Sequence, residues 1–460
     1  MIEHLMSMVQ IYLIACFMGV HALYLFLDSW AFYILKSKRE RMDLTGLSLS
    51  HHHFKLPVSL LMPVHNNVAG VREAVNALMD LSYAAYEIIV INDGSSDSTL
   101  EVMTHYFDLE PFPEVYWKRI QTRDVKGVFR SLKYPRLSVV DKWHGGQADA
   151  FNAGLNLSRY PLVCTLESGL FLKKDSLEKM VRPFLDHAKT VMVRAIVTPA
   201  TYRSSIDGEA YDVSLPEGWL ARLQLMQILR ESWLTAIGIS TFKFTLPFAG
   251  FITLFRKDSL IAVQGFQSQV SDAEMEAILH LQALANTSGE SCTTAVVADV
   301  VAWSTARTDW KKFQKKSMDE EHAWLDGLWR NRSRCFQKGS GVLGWIAWPL
   351  LILFEGLGPL FEITAYVVMG WMFFWAGMDG YILLLFLFVV VAMGFLVSIY
   401  ALMIQALSLR LFSRRRELLT LVFVALFESM GGRQLRSLYK VVALFTWLVG
   451  KASGRQDSVS

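Results

Sequence analysis

Gly145-Gly146-Gln147-Ala148-Asp149-Ala150-Phe151-Asn152-Ala153-Gly154-Leu155-Asn156 is the stretch whose reading decides the fold. Two adjacent glycines permit a tight loop that residues with a Cβ resist. Ala148 to Leu157 then continues as a helix, so the loop opens onto a helix N-terminus. Just downstream, Pro161 to Leu166 is a short apolar run of the kind that forms a buried strand. It ends in Glu167-Ser168-Gly169. Upstream, Val58 to Met62 is a second such run, ending at Pro63, and Tyr86 to Ile91 is a third, ending in the Asn92-Asp93-Gly94 turn. Val68 to Leu81 has helix-like spacing between them, and Thr190 to Val197 gives a fourth strand. Strands alternating with helices point to an α/β fold with a mostly parallel sheet. Ligands of such sheets bind at the carboxyl ends of the strands. Pro63, Asp93 and Glu167 are therefore expected to line one crevice.

The 460 residues are 53% hydrophobic, with a mean hydropathy of +0.30. That is too apolar for an ordinary soluble chain, while the middle is too charged for a pure membrane bundle. A net charge of +3 lacks the basic excess of a nucleic-acid binder. Cys16, Cys164, Cys292 and Cys335 are scattered without a C-x-x-C pair, which favours a reduced compartment over a metal or disulfide framework.

Met8 to Leu27 is long enough to span the hydrocarbon core and lacks a small-residue cleavage site. Lys36, Lys38, Arg39 and Arg41 follow it, so the positive-inside rule places the N-terminus outside and the next domain in the cytosol. The chain divides into an amino-terminal span with its basic flank (1–40), a linker (41–55), a cytosolic domain (56–330), carboxy-terminal interfacial and membrane helices (331–450) and a disordered tail (451–460). His51-His52-His53 suits a solvated linker better than a metal site. Arg330, Arg332, Arg334 and Lys338 form a juxtamembrane basic run suited to anionic headgroups. An interfacial helix to about Leu353, a span to about Trp375 and a second span from Tyr381 to Leu407 are expected. Leu418 to Phe427 and Val441 to Val449 are apolar but short, and Arg433, Arg436 and Lys440 between them argue against a simple crossing. Glu355 and Glu362 lie in apolar surroundings, where a carboxylate contacts a polar ligand or pairs with a cation; both readings stand.

Three blocks together resemble the membrane-bound family 2 glycosyltransferases, which make poly-N-acetylglucosamine, cellulose, chitin and hyaluronan. Pro63-Val64-His65-Asn66-Asn67 stands where the family has Pro-x-x-Asn-Glu. Asp93 stands where an aspartate contacts the nucleoside, although Asn-Asp-Gly-Ser alone would be only a tight turn. Gly145 to Asn156 matches the family's Gly-Gly-Lys-Ala-x-Ala-Leu-Asn-x-Gly run, with Gln147 for its lysine and Phe151 for its leucine. The resemblance covers about Pro57 to Lys451. It implies a GT-A-like domain inserted between transmembrane helices, with Pro63, Asn66, Asp93, Gly146 and Gln147 at the nucleotide.

The chemistry positions depart from that pattern. The family's Asp-x-Asp, which holds Mg2+ or Mn2+ on the diphosphate, is here Glu167-Ser168-Gly169, leaving Glu167 as the lone metal candidate. Hard cations want several oxygen ligands. The family's base is the Asp of Thr-Glu-Asp. Glu274 aligns with it, and Asp272 is the candidate if the loop shifts by two residues; an exposed helix N-terminus is an equal reading of these acids. The family's Gln-x-x-Arg-Trp becomes Glu320-Glu321-His322-Ala323-Trp324, which removes the arginine and keeps Trp324 as a face for an acceptor sugar or as a core residue. Trp303-Ser304-Thr305 replaces Trp-Thr-Glu. Scaffold residues kept and chemistry residues altered imply a catalytically impaired subunit of polysaccharide biosynthesis in the cytoplasmic membrane. It would partner an active synthase or other export subunits, or bind glycan or a UDP-sugar. The alternative is an active inverting transferase using a UDP- or GDP-sugar, with Glu274 as base and Mg2+ or Mn2+ as cofactor.

Overall fold

The computed structural model describes residues 2–45, 55–112, 116–167, 169–204, 211–233, 250–267, 273–287, 293–305, 309–334, 344–345, 348–408, 412 and 414–452. His51 to His53, Ser168, Asp272, Cys292, Cys335, Lys338, Arg410 and most of the tail lie outside them, as does the side chain of Glu355.

Helix α1 spans Ile2–Thr45. Strand β1 (Val58–Val64), helix α2 (Val71–Met79), strand β2 (Tyr86–Asp93) and helix α3 (Thr99–Phe107) follow. Then come β3 (Leu109–Pro111), β4 (Val125–Ser131), β5 (Leu137–Lys142), α4 (Gln147–Leu157), β6 (Leu162–Thr165), β7 (Leu170–Leu172), α5 (Ser176–Asp186) and β8 (Thr190–Pro199). A two-stranded ribbon, β9 (Thr201–Ser204) and β10 (Tyr211–Ser214), leads to α6 (Trp219–Trp233). Next are β11 (Phe251–Arg256), α7 (Lys257–Ala262), α8 (Ala273–Thr287), β12 (Thr293–Ser304) and α9 (Trp310–Arg330). The last helices are α10 (Trp348–Leu351), α11 (Gly358–Trp375), α12 (Gly380–Ser408), α13 (Arg415–Phe427) and α14 (Arg433–Ala452).

The chain forms two compact units. One contains Glu40–Pro199 and Ser240–Thr305. Its sheet runs β3-β4-β5-β2-β1-β6-β11-β8-β12-β7. The centre, β5-β2-β1-β6, is parallel, and β11 enters antiparallel between β6 and β8. The outer pairs β3–β4, β4–β5 and β7–β12 are antiparallel. Successive residues of β1 serve opposite layers, as a period of two requires. Leu60, Met62 and Val64 pack with Val75 of α2, Met103 of α3 and Met180 of α5. Leu61 packs on the other face with Phe151 and Leu155 of α4 and Ile278 of α8. The result is a helix–sheet–helix sandwich, buried on both faces as parallel strands demand.

The central strands fall where the apolar runs place them; β1 and β2 run on at their carboxyl ends, whereas β6 stops one residue short at Thr165. β1 continues through Pro63, a residue that strand interiors usually exclude because it lacks a ladder donor. The exception has a local reason, since pairing with β6 ends at Leu61, opposite Thr165.

The second unit contains Met1–Arg39, Ala200–Ile239 and Ala306–Val459. Among the described residues, three stretches are long and apolar enough to cross a membrane: Met6–Leu23, Gly380–Ala406 and Arg415–Lys451. The third differs from the expectation of two short apolar pieces. α13 and α14 are joined by a π-helical turn, Glu428–Gly432, into one helical run. Its cations are matched: Arg433 Nη2 lies 3.3 Å from Glu362 Oε1, and Arg436 Nη2 lies 2.6 Å from Glu428 Oε1. Glu428 also receives Arg230 Nη1 at 3.1 Å and Ser398 Oγ at 3.3 Å. Glu362 accepts from Tyr366 and Ser437 at 2.8 and 2.6 Å, so it carries the cation-paired reading. α1 packs Leu13 and Phe17 against Ala365, Met369 and Phe386, and its His21 Nε2 meets Arg433 Nη1 at 2.6 Å.

Candidate functional site

β2, β1 and β6 are parallel neighbours, so their carboxyl ends bring Asp93, Pro63 and Glu167 to one edge of the sheet. Past β1 the chain turns at Asn66, whose φ of 48° is left-handed. Asn66 is held there by the loop after β2. Its N–H donates to Ser95 Oγ at 3.0 Å, and its Oδ1 accepts from the Ser96 N–H at 2.9 Å. His65 and His144 both direct Nδ1 at the carbonyl oxygen of Asp93, at 2.8 and 3.0 Å, with ring centroids 4.6 Å apart. These two imidazoles at the rim carried no signal in the sequence.

Asp93 is the hub of this edge. Its Oδ1 accepts from Lys142 Nζ at 2.6 Å and from the Gly145 N–H at 2.9 Å. Its Oδ2 accepts from the Gly146 N–H at 2.8 Å and lies 3.0 Å from His144 Nδ1. The carboxylate thus has protein partners on both oxygens. Gly146 has a φ of 84°, a value that suits glycine, and there the chain turns into α4 with Gln147 exposed as its first residue.

The asparagines of the deciding stretch fasten loops to α4. Asn152 donates through Nδ2 to the Phe266 carbonyl at 2.7 Å and accepts from the Phe266 N–H at 2.9 Å. Asn156 Oδ1 accepts from the Arg119 and Ile120 N–H groups at 3.1 Å each, and its Nδ2 donates to the Ile120 carbonyl at 2.8 Å. Such loops would otherwise bury unpaired backbone groups.

At the end of β6, Glu167 is exposed and closes a turn through the Leu170 N–H, 3.3 Å from its carbonyl. Gly169 has a φ of 99°. A side chain there costs backbone strain of about 1–3 kcal/mol, so the turn favours glycine where a second metal-binding carboxylate would stand. Among the described residues no three His, Cys, Asp or Glu side chains gather to hold a metal ion. At this turn Glu167 offers one carboxylate, and Mg2+ commonly binds through one or two carboxylates together with substrate phosphates and waters.

Glu274 lies in the first turn of α8, and its Oε2 accepts from Thr253 Oγ1 at 3.2 Å. Thr253 of β11 sits opposite Thr165 of β6, so Glu274 comes to the same strand end as Glu167. Burial, reinforced by the negative charge of Glu274, pushes the Cys164 thiol well above its ordinary range. β12 ends beside this turn, with Trp303 opposite Phe171 of β7 and the ammonium of Lys173 4.8 Å from its ring. Burial lowers the Lys173 pKa from its usual value against the pull of Asp299.

Trp324 belongs to the other unit, on α9. That helix is fastened to α14. His322 Nε2 meets the Ala443 carbonyl at 3.0 Å and Thr446 Oγ1 at 2.9 Å, and Trp447 Nε1 donates to Asp326 Oδ1 at 2.8 Å. Glu320 is a half-exposed surface acid 3.6 Å from Lys316, whereas Ala323 is buried.

A glycosyl transferase family 2 profile matches residues 59–246. The chain is 23% identical to a poly-beta-1,6-N-acetyl-D-glucosamine synthase of Staphylococcus epidermidis over 72% of its own length and 65% of that protein. It is 25% identical to the chondroitin synthase of Pasteurella multocida over 30% of its own length and 12% of that protein. It thus spans less than two thirds of these relatives. Among solved structures it is similar to the mannosyltransferase PcManGT of Pyrobaculum calidifontis in complex with GDP-Man and Mn2+. The TM-score is 0.53 at 14% identity, covering 96% of this chain and 99% of that one, a likeness of fold. The glycine loop, the strand-end aspartate and the sheet order accord with these matches: the chain carries a glycosyltransferase family 2 domain of GT-A-like fold.

Proposed function

We propose that this protein is a membrane-embedded member of a polysaccharide-synthesis system that binds a sugar nucleotide at the Asp93–Gly146 edge but is impaired in metal-assisted transfer. It would act beside an active synthase. The observation that carries this reading is the turn at Glu167–Gly169, where one carboxylate and a left-handed glycine stand in place of a ligand pair. Ala323 supports it, because alanine at the place of the motif arginine carries no guanidinium. In this reading the N-terminus lies outside, the transferase-like unit faces the cytosol, and the helices sit in the cytoplasmic membrane.

A second reading is an active inverting transferase. It is favoured by the placement of Glu274 at the end of β6, where a carboxylate can serve as base. Titration of the full chain with UDP-sugars and GDP-sugars, with and without Mg2+ or Mn2+, separates the two. Impairment predicts nucleotide binding that a chelator leaves unchanged and no glycan product. Activity predicts metal-enhanced binding and a product that disappears in Glu274→Gln while binding persists. Absence of any nucleotide binding overturns both.

A further inference from the structure

Lys142, the last residue of β5, belongs to none of the contacts expected from the sequence. Its side chain is fully buried. Nζ donates to Asp93 Oδ1 at 2.6 Å and to the Trp143 carbonyl at 2.7 Å, and lies 2.6 Å from Asp149 Oδ2. Two ammonium protons thus go to Asp93 Oδ1 and the Trp143 carbonyl, while the contact with Asp149 Oδ2 is a close ion pair without hydrogen-bond geometry. Asp149 sits in the first turn of α4, where its Oδ1 also accepts from the Arg123 N–H at 3.0 Å. One ammonium therefore ties together a strand end, the glycine loop and a helix start.

The charged groups around the cluster are few. His144 approaches Asp93 Oδ2, and His65 reaches only its carbonyl. Lys126 of β4 pairs with Asp141 of β5 at 3.7 Å. Arg123 contributes its backbone. Lys142 is the cation in contact with both carboxylates.

We propose that Lys142 is a positioning residue for the nucleotide crevice. It keeps Asp93 and Asp149 together as ions and, through Asp93, fixes the Gly145 and Gly146 amides before a nucleotide arrives. This rests on the reading of that edge as a nucleotide site. Without the ammonium, two buried carboxylates face each other within about 5 Å, and such a pair does not stay doubly ionised readily. At low pH one takes a proton and the loop holds. As pH rises both ionise, repel each other and release the loop.

The test uses the full chain in detergent or nanodiscs. UDP affinity and amide exchange of the peptide over residues 143–150 are followed from about pH 5 to about pH 8. In Lys142→Met, affinity falls at least about tenfold at the upper end, and loop exchange rises with it. Both gaps close toward the lower end. Adding Asp149→Asn recovers most of the loss at high pH, because one carboxylate remains. A purely structural defect would show neither the pH dependence nor the recovery, and that outcome overturns the proposal. So does a Lys142→Met protein that matches the wild type at every pH. If Lys142→Met alone fails to fold, the double variant decides: restored folding and UDP affinity support the charge-balance argument, and continued failure overturns it. A wild type that binds neither UDP nor GDP overturns the nucleotide reading itself, and with it this inference.

Discussion

Asn152 and Asn156 make five hydrogen bonds to the backbone of loops over 30 residues away in sequence. Replacing either with alanine strands buried donors and acceptors and is expected to cost about 1–3 kcal/mol. A lower unfolding temperature with unchanged secondary structure in circular dichroism is the expected readout. Tyr83 gives a second expectation at this scale. Burial, reinforced by the negative charge of Glu178, pushes its phenol up to about 12, and its hydroxyl donates to the Leu56 carbonyl at 2.7 Å. The unfolded chain loses that proton near the ordinary tyrosine value of about 10 while the folded chain keeps it. Stability therefore falls as pH rises through that interval, and Tyr83→Phe flattens this part of the profile in thermal unfolding. Single residues also mark the limit of what was legible. Asp93 and Gly146 could be picked from the sequence, because a turn and a double glycine announce themselves. Lys142 could not: a lysine at a strand end normally points to water, and its partner Asp93 lies 49 residues upstream.

Among the elements, the apolar runs of β1, β2 and β6 were legible because parallel strands buried on both faces leave uninterrupted hydrophobic stretches. β4 and β5 were not. β4 buries only Val128 and Ser131 and carries Lys126 and Arg130, so its strand character depends on pairing with β5. The long helix from α13 to α14 hid for the opposite reason. Its arginines look incompatible with an apolar setting until Glu362 and Glu428 are brought to them. The π-helical turn places Glu428 beside Arg230 and Arg436. Removing one member of a buried ion cluster leaves charge uncompensated and typically costs 3–5 kcal/mol. Glu428→Ala is therefore expected to lower the unfolding temperature in detergent sharply, with Glu428→Gln intermediate. Equal stability of all three proteins would show that the cluster is solvated.

For the molecule as a whole, the candidate residues are divided between two units. The Asp93–Gly146 edge and Glu274 belong to the unit with the large sheet, while Trp324 rides on a helix of the other unit that packs with α14. The sequence motif that includes Trp324 is thus also a fastening between α9 and α14. His322→Ala is expected to raise amide exchange in both helices and to leave the peptide over residues 143–150 unchanged, which differential exchange measures directly.

The handedness of the backbone at Gly169 has a consequence for placing a second carboxylate beside Glu167. Gly169→Asp adds a second carboxylate but asks an L-residue to sit at a φ of 99°. The expected result is a less stable protein that takes up no more Mn2+ than before. The turn must change hand first, through its neighbours, and only then does a second acid help. The order of substitutions at this turn, and not their number, therefore decides whether a second carboxylate can be presented beside Glu167.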